Sequence, residues 1–405
     1  MKILQINSVI SYGSTGAIVR DIYDVLNSEG HDCLVAFGRG DYVDGYKSIK
    51  FSSSIEVLVH MLSSRIFDNH GLMSQYSTKK LIKLIKEFEP DIIQLHNIHG
   101  YYLNYKLLFE YLSKTNIPIV WLMHDQWALS GGPAYIDDIE SHRMSRSISE
   151  KSSYPKTFFL DRYFNNLNQK VKSFSKLNNL TIVTPSNWLS EQFKKSFLGH
   201  NNVRTIHNGI DISCFKPSFI FDSNRENIST KKQLLGVASV WDYRKGAEFF
   251  YKLSRDLGNE YHIRMVGVDD SIESYVKSNN LNIELIKKTN SRQELVDLYT
   301  QADILINPTL QDNFPTVNIE SLACGTPVIT FDTGGSGESI INEKTGLIIK
   351  KGSYDMLLKA IKKWPKKNQD IVLNCVEHSK LFDKKVIYSK YIKLYKKILE
   401  EKNGL

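Results

Sequence analysis

The first place where the sequence offers chemistry is a loop between an apolar run and the start of a helix. The run Ile304–Asn307 is strand-like, and Asp312 follows it in a loop. Pro315 is typical of the beginning of a helix and Gly325 of its end, which predicts a helix over Thr316–Ala323. The helix start should therefore lie at the carboxyl end of a strand, close to Asp312.

Two kinds of ligand contact are combined at this helix start. The backbone amides of Thr316 and Val317 lie at the positive end of the helix dipole, which suits a phosphate. Glu320 lies inside this helix, eight residues after Asp312, so it can border the same pocket as Asp312. Carboxylates placed there can accept hydrogen bonds from sugar or ribose hydroxyls. The plainer alternative makes Asp312 a turn residue and Glu320 a solvated helix position.

A basic pair follows the first apolar run of the second half of the chain. Arg244 and Lys245 lie between a strand-like run at 234–239 and a helical pattern at 246–257. Arginine and lysine at such a turn can bind a diphosphate and stabilise the negative charge that it gains as it leaves. A basic helix start without an anion would oppose the helix dipole, so a bound anion explains the pair better.

The first half of the chain has a glycine-containing turn after its first strand. Gly16 ends the run Gly13-Ser14-Thr15-Gly16, which lacks the spacing of a dinucleotide-binding fingerprint. A short glycine turn lets the backbone approach a ligand closely, although ordinary tight turns look the same. We expect Gly16 to contribute to a ligand site.

Polar and aromatic residues follow two further strands of the first half. His124 and Asp125 come after one of these strands, and Asn97 and Tyr101 come after the other. A histidine there can bind a sugar hydroxyl or orient an acceptor. Aromatic rings beside polar groups suit the face of a carbohydrate, and the alternative is that Tyr101 packs in the core.

The elements that must position these groups alternate between strand and helix in both halves. Apolar runs predict strands at 3–6, 33–37, 91–95, 117–123 and 181–184, the last closing the first half, and at 234–239, 263–267, 303–307 and 327–330 in the second. Helical periodicity predicts helices at 15–27, 79–89, 104–114, 246–257, 293–300, 316–323 and 384–402.

This alternation predicts an α/β protein with two parallel sheets, each covered on both faces. Ligands of such sheets bind at the carboxyl ends of the strands, and two domains in tandem should face a central cleft. Turn residues near 208–217 mark a linker. We therefore expect domains at 1–207 and 208–383, and a C-terminal helix over 384–405 that packs back toward the first domain. The segments 131–156 and 218–232 are expected to be loops.

Composition narrows the class of protein. The 405 residues are 41% hydrophobic and 24% charged, which is typical of a soluble globular chain. The formal charge of +8 suits phosphate-bearing ligands, an anionic membrane or a lysine-rich surface, and no basic nucleic-acid motif is present. The four cysteines are far apart, which argues against zinc and disulfides. We expect a cytoplasmic protein that can meet the inner face of the membrane only from the side.

Together and in this order, the motifs resemble those of the retaining glycosyltransferases of family 4, which have the GT-B fold of two Rossmann-like domains. Within that family the chain is similar to transferases of the colanic-acid and capsule type. The likeness covers nearly the whole chain and includes residues 13–20, 96–103, 124–127, 208–217, 244–246 and 312–327. Of the family's two acidic positions, the first holds Asp312 in place of a glutamate.

The resemblance implies metal-independent, retaining transfer of a hexosyl group from a UDP- or GDP-sugar to a sugar or lipid-linked acceptor in capsule, exopolysaccharide or O-antigen assembly, with no cofactor. It implies catalytic roles for His124, Asp312, Arg244 and Lys245, donor binding by Gly16, Thr316, Val317 and Glu320, and an acceptor side formed by Asn97, Tyr101 and Asp125. The alternatives are a GT-B nucleotide-sugar epimerase and a non-catalytic nucleotide-sugar-binding protein. The strand-end His124 argues against a mere binder.

Overall fold

The computed structural model of the chain describes residues 1–136, 154–218 and 230–404. These residues form two compact units. Unit one comprises Met1–His207 and Tyr388–Leu405, and unit two comprises Asn208–Ile387.

Unit one is built on a parallel sheet of seven strands. They are β1 (Lys2–Val9), β2 (Asp32–Arg39), β3 (Ser48–Lys50), β4 (Ile92–Leu95), β5 (Ile119–Leu122), β6 (Leu180–Thr184) and β7 (Asn202–Thr205). The order across the sheet is β3-β2-β1-β4-β5-β6-β7, so the direction of winding reverses between β1 and β4. Residues 3–9 of β1 are all buried because helices cover both faces of the sheet.

In the described residues of unit one, six helices connect these strands. They are α1 (Gly13–Ser28), α2 (Ser54–Phe67), α3 (Gln75–Phe88), α4 (Tyr105–Leu112), α5 (Tyr163–Phe174) and α6 (Asn187–Lys194). Helix α1 is amphipathic, and the apolar stripe that it buries against the sheet consists of Ile18, Ile22, Val25 and Leu26.

Unit two repeats the plan with a parallel sheet of six strands. They are β8 (Lys232–Val237), β9 (Tyr261–Val266), β10 (Glu284–Ile286), β11 (Ile304–Asn307), β12 (Val328–Asp332) and β13 (Gly346–Lys350). The order is β10-β9-β8-β11-β12-β13, with the reversal between β8 and β11. Both sheets therefore have the strand order of the Rossmann fold, and the predicted α/β class with two Rossmann-like sheets is confirmed.

The helices of unit two are α7 (Ala247–Asp256), α8 (Asp270–Ser278), α9 (Arg292–Gln301), α10 (Thr316–Ala323), α11 (Tyr354–Lys363) and α12 (Gln369–Ser379). A final helix, α13 (Lys384–Lys402), begins in unit two and continues into unit one. Within unit one it buries Tyr388, Tyr391 and Tyr395, and the hydroxyl of Tyr395 donates a hydrogen bond to Gln94 of β4.

The structure differs from the sequence prediction at several elements. Strand β6 does not close the first half, because α6 and β7 follow it. Strands β3 and β10 have three residues each and too little pattern to be recognised. Most of the predicted loops at 131–156 and 218–232 lies outside the described residues, and residue 232 belongs to β8.

Candidate functional site

The basic turn and the acidic loop of unit two meet because their strands are neighbours. Strands β8 and β11 pair in parallel, so the segments that follow them leave the same edge of the sheet. This edge lies at the reversal of winding, where ligands of open α/β sheets bind.

A close backbone contact joins the two segments. The amide of Leu310 donates to the carbonyl of Arg244 over 2.7 Å. Gly246 has φ +75°, and a Cβ at this residue would lie 2.3 Å from the carbonyl oxygen of Pro308. Only glycine allows this approach, so Gly246 fixes the basic turn against the loop that carries Asp312.

The charged side chains form one cluster at this contact. The Lys245 Nζ lies 2.5 Å from a carboxylate oxygen of Asp312, and a guanidinium nitrogen of Arg244 lies 4.0 Å from the same oxygen. Arg244 also donates to the carbonyl of Gln311 over 2.9 Å. Three of the predicted catalytic residues are thus brought together.

The basic pair lies directly before a helix, close to the predicted position. Residues 243–245 form a single 3-10 turn, and the carboxylate of Asp242 caps it by accepting from the Lys245 amide over 2.9 Å. Gly246 is then the N-cap of α7, so Arg244 and Lys245 lie next to the positive end of the dipole of that helix. The case for a bound anion therefore rests on this position and on the cluster itself.

Helix α10 begins four residues after Asp312. Pro315 is its N-cap rather than its first helical residue, and its cap makes no side-chain hydrogen bond. The amides of Thr316 and Val317 therefore lie in the first turn, where the helix offers no internal acceptors. Asn307 at the end of β11 donates to Asn318 over 2.8 Å, which ties the first turn of the helix to the sheet.

Glu320 is held on the side of α10 that faces α9. Its carboxylate accepts a hydrogen bond of 2.9 Å from the buried hydroxyl of Tyr299, and the Thr316 side chain is a second donor. Burial raises the pKa of Glu320, and the bonds from Tyr299 and Thr316 and the charge of Arg292 oppose this rise. Tyr299 orients the carboxylate, and no local pattern in the sequence pointed to it.

The strand ends of unit one enclose a second group of predicted residues. A small cavity of about 10 Å³, room for roughly one water molecule, is lined by residues 96–99, 121–125, 127 and 128. It therefore includes Asn97, His124 and Asp125 at the ends of β4 and β5. Asn97 is partly exposed there, and its carbonyl accepts from the hydroxyl of Tyr102 over 2.7 Å.

His124 belongs to a hydrogen-bonded series that fixes its tautomer. Gln5 donates its amide N–H to the carbonyl of Val19, so its oxygen faces His96 Nε2 at 3.0 Å and must accept from it. His96 Nδ1 is then unprotonated and accepts from His124 Nε2 over 3.2 Å. This leaves the proton of His124 on Nε2 and makes its Nδ1 the basic nitrogen.

The imidazole of His124 is neutral at neutral pH. Burial lowers its pKa to about 4, the charge of Asp125 acts to raise it, and His99 lowers it further. A neutral imidazole with an unprotonated Nδ1 can accept a hydrogen bond from a hydroxyl group, as the sequence analysis proposed for this residue.

Asp125 has a partner that the sequence analysis did not single out. One oxygen of its carboxylate lies 2.8 Å from His99 Nε2, and the other accepts from the amide of Trp127 over 2.9 Å. Burial acts to raise the pKa of Asp125, but His99 and the Trp127 amide lower it overall. A carboxylate held in this way mainly positions the loop after β5.

Tyr101 is not on a ligand-facing surface. Its ring is 7% exposed and packs edge-on against His70, with centroids 4.9 Å apart. Its backbone has φ +69°, in the left-handed region, and this turns the side chain into the interior. The ring therefore packs in the core, which is the alternative given above, and a contact of Tyr101 with an acceptor stays a prediction.

Gly16 lies inside a helix rather than in a loop, since α1 begins at Gly13. A Cβ at Gly16 would approach the carbonyl oxygen of Ile10 to 3.1 Å. The residue thus lets the first turn of α1 pack tightly on the end of β1. A direct ligand contact by Gly16 stays a prediction.

Two features are absent from the part of the chain that the structure describes. Within it, no group of three or more His, Cys, Asp or Glu side chains is arranged to hold a metal ion. No helix in the same residues is both long enough and apolar enough to cross a membrane.

Two Rossmann-like sheets, with charged and polar residues at the strand ends where each sheet reverses, are the arrangement that is typical of nucleotide-binding α/β proteins. Two family models match the chain: Glycosyltransferase Family 4 over residues 15–213 and Glycosyl transferases group 1 over residues 218–380. The chain belongs to the family 4 glycosyltransferases with the GT-B fold.

Sequence relatives include transferases of surface-polysaccharide synthesis. The putative colanic acid biosynthesis glycosyl transferase WcaC of Escherichia coli is 22% identical over 364 residues, 85% of this chain and 86% of the relative. The N,N'-diacetylbacillosaminyl-diphospho-undecaprenol alpha-1,3-N-acetylgalactosaminyltransferase of Campylobacter jejuni is 26% identical over 239 residues, 56% of this chain and 62% of that protein.

Solved structures share the fold. Sucrose-phosphate synthase from Thermosynechococcus elongatus superimposes with a TM-score of 0.73 at 17% identity, covering 99% of both chains. HepE from Anabaena in complex with UDP gives a TM-score of 0.65 at 16% identity, covering 98% of this chain and all of that one. At these identities the likeness concerns the fold alone.

Proposed function

We propose that this glycosyltransferase moves a hexosyl group from a UDP- or GDP-sugar to a sugar or lipid-linked acceptor, with retention of configuration and without a metal ion. The reaction serves assembly of a bacterial surface polysaccharide. The observation that carries the proposal is the cluster of Arg244, Lys245 and Asp312 beside the start of α10.

The chemistry of this cluster suits a departing nucleoside diphosphate. Two cationic side chains and the first amides of a helix supply the positive charge that otherwise comes from a divalent cation. Asp312 is only 13% exposed at its side chain and holds Lys245 in place, so the ammonium group is positioned before a ligand arrives. Such preorganised charge stabilises the diphosphate most when the sugar–phosphate bond breaks.

The remaining residues bind the other parts of the substrates. Glu320, oriented by Tyr299, accepts hydrogen bonds from the ribose hydroxyls of the nucleotide. In unit one, His124 at the end of β5 contacts a sugar hydroxyl, and its hydrogen bond to His96 holds the ring in place. The leaving phosphate itself takes the proton of the acceptor hydroxyl.

Similar proteins support the choice of substrates. HepE has been solved with UDP and with UDP-glucose, which makes UDP-sugars the first donors to test. The Campylobacter relative is named for an undecaprenol diphosphate acceptor, which makes a lipid-linked saccharide the first acceptor. The relationship to WcaC supports a place in polysaccharide assembly.

The test is nucleotide release from a panel of UDP- and GDP-sugars, with and without acceptor, in the presence of EDTA. The proposal expects release with at least one donor, undiminished by EDTA, and a product whose anomeric configuration by NMR equals that of the donor. Inversion of configuration would refute the retaining mechanism. Activity that EDTA abolishes and manganese restores would refute independence from a metal ion.

A matched pair of variants connects this activity to the cluster. Lys245→Ala is expected to lower turnover on the order of a hundredfold, the effect of removing one preorganised charge at the transition state. Lys277→Ala removes a lysine that is also ion-paired, to Glu273 on the surface of unit two, and should leave turnover unchanged. Equal rates for both variants and the wild type would remove Lys245 from the mechanism.

A further inference from the structure

Helix α2 of unit one has its polarity reversed. The large apolar side chains Ile55, Leu58, Val59, Leu62, Ile66 and Phe67 are all exposed, and Ile55 reaches 77%. A helix on the surface of a globular unit normally turns such a stripe toward the core. Here the stripe faces outward along the whole length of the helix.

The inward face of α2 is polar and firmly bonded. His60 is completely buried, with Nδ1 2.8 Å from Ser74 Oγ and with Nε2 accepting from the Gly71 amide over 3.0 Å. Glu56 accepts from the amide of Ser77 over 3.2 Å, which joins α2 to the first turn of α3. These bonds fix the rotation of α2 about its own axis, so the outward orientation of the stripe is part of the fold.

A second segment extends the apolar surface. Phe158, Phe159 and Leu160 are exposed, Phe159 to 78%. The Phe158 amide donates to the Arg65 carbonyl over 2.9 Å, which attaches the segment to the last turn of α2. Nine large apolar side chains, each at least 41% exposed, thus form one surface, whereas ordinary surfaces scatter such side chains singly. We call this surface the α2 patch.

The elements that carry the α2 patch have an excess of positive charge. Residues 54–88 and 154–164, which include the patch and helix α3, contain seven Lys and Arg against four Asp and Glu. Lys79, Lys80 and Lys83 are exposed on α3, whose first turn contacts α2 through Glu56. Apolar side chains that enter the acyl region, with lysines that reach the phosphates, are the two contributions that bind a protein to the surface of an anionic bilayer.

We propose that the α2 patch docks unit one on the surface of an anionic lipid bilayer. Its apolar side chains enter the interface, and the lysines of α3 pair with lipid phosphates. A second copy of the chain is the weaker occupant, because its own patch carries the same positive charge and would repel. The inference concerns a surface outside the cluster at Lys245 and does not depend on the sugar that the enzyme transfers.

The experiment is sedimentation of the full chain with vesicles that contain phosphatidylglycerol and phosphatidylethanolamine, compared with vesicles of phosphatidylcholine alone. We expect clear binding to the anionic vesicles and binding weaker by at least about tenfold to the neutral ones. Leu62→Ser combined with Phe159→Ser should lower binding by at least about tenfold, because two inserted side chains are lost. Lys79→Gln with Lys83→Gln should reduce the preference for anionic lipid.

The control is Met356→Ser with Leu373→Ser, which removes two exposed apolar side chains of unit two and should bind vesicles as the wild type does. Nucleotide release with a water-soluble acceptor should be the same in all variants, so that failure of docking is distinguishable from failure of transfer. Wild-type protein that ignores anionic vesicles, or an α2-patch variant that binds them fully, would overturn the proposal. So would a concentration-dependent dimer that the Leu62/Phe159 variant breaks while vesicles bind no protein.

Discussion

The contact between Lys245 and Asp312 leads to a prediction about coupling. If Asp312 gripped only the transferred sugar and Lys245 only the diphosphate, the two side chains would act independently. Their atoms lie 2.5 Å apart, and both side chains are less than a fifth exposed. Asp312 must therefore also hold the lysine ammonium in place, and removing either partner should remove part of what the other contributes.

The expected coupling free energy follows from the effects of the two single substitutions. Lys245→Ala should cost about 3 kcal/mol in the transition state, on the order of a hundredfold in rate. Asp312→Asn loses a charge-assisted contact of about 1.5–3 kcal/mol. Independent effects would multiply to roughly a thousandfold or more. We expect the double variant to be within about threefold of Lys245→Ala alone, a coupling of at least about 1 kcal/mol.

The assay is the initial rate of nucleotide release for wild type, both single variants and the double variant at saturating donor. The exposed pair Lys277 and Glu273 provides a matched cycle, whose coupling in turnover should be zero. Thermal unfolding of each variant controls for loss of folded protein. Additivity at the Lys245–Asp312 pair to within about 0.5 kcal/mol would show that Asp312 does not act through the lysine.

Three further predictions concern single side chains. Tyr299→Phe removes the hydroxyl that orients Glu320 and should weaken nucleotide binding about fivefold. Calorimetry measures this affinity, and an unchanged affinity would contradict the prediction. Gly246→Ala places a Cβ 2.3 Å from the Pro308 carbonyl at φ +75° and should destabilise unit two by at least about 1–2 kcal/mol; an unaltered melting temperature would contradict this. Burial lowers the pKa of His60 to about 4 from its ordinary 6.5, so the unfolded chain binds more protons and stability falls as the pH drops from 7 toward 4. Between pH 7 and 5 this should lower the free energy of unfolding of the wild type by about 2 kcal/mol. In denaturant unfolding over the same pH range, His60→Gln should lose about 2 kcal/mol less than the wild type.

Sequence reasoning worked where the signal is local. The helix Thr316–Ala323 was predicted to the residue, because a proline before it, a glycine after it and an apolar strand ahead of it are all adjacent in the chain. A rule of topology also placed Lys245 and Asp312 at the carboxyl edge of the sheet, and the pairing of β8 with β11 then brings them together.

Contacts between distant segments could not be predicted in the same way. Tyr299 reaches Glu320 from another helix, and His99 reaches Asp125 from another strand end. Neither pair has a spacing that marks it, because its geometry depends on how α9, α10 and the loops of unit one pack. The direction of Tyr101 was left open for a related reason, since it depends on a left-handed backbone angle that a tyrosine rarely adopts.

In helix α2, the buried polar face explains why the apolar face is exposed. Periodicity alone would place its aliphatic stripe in the core, yet the core side of the helix is occupied by His60 and its two hydrogen bonds. Turning α2 to bury Leu62 would break both bonds and bring the imidazole to the surface. The burial of the polar face and the exposure of the apolar face therefore depend on each other. Exposing the aliphatic stripe forgoes the free energy that its burial would contribute, so stability alone does not explain it. The reversal is therefore best understood as a requirement of the outward face, and this is the reason for assigning the α2 patch a partner.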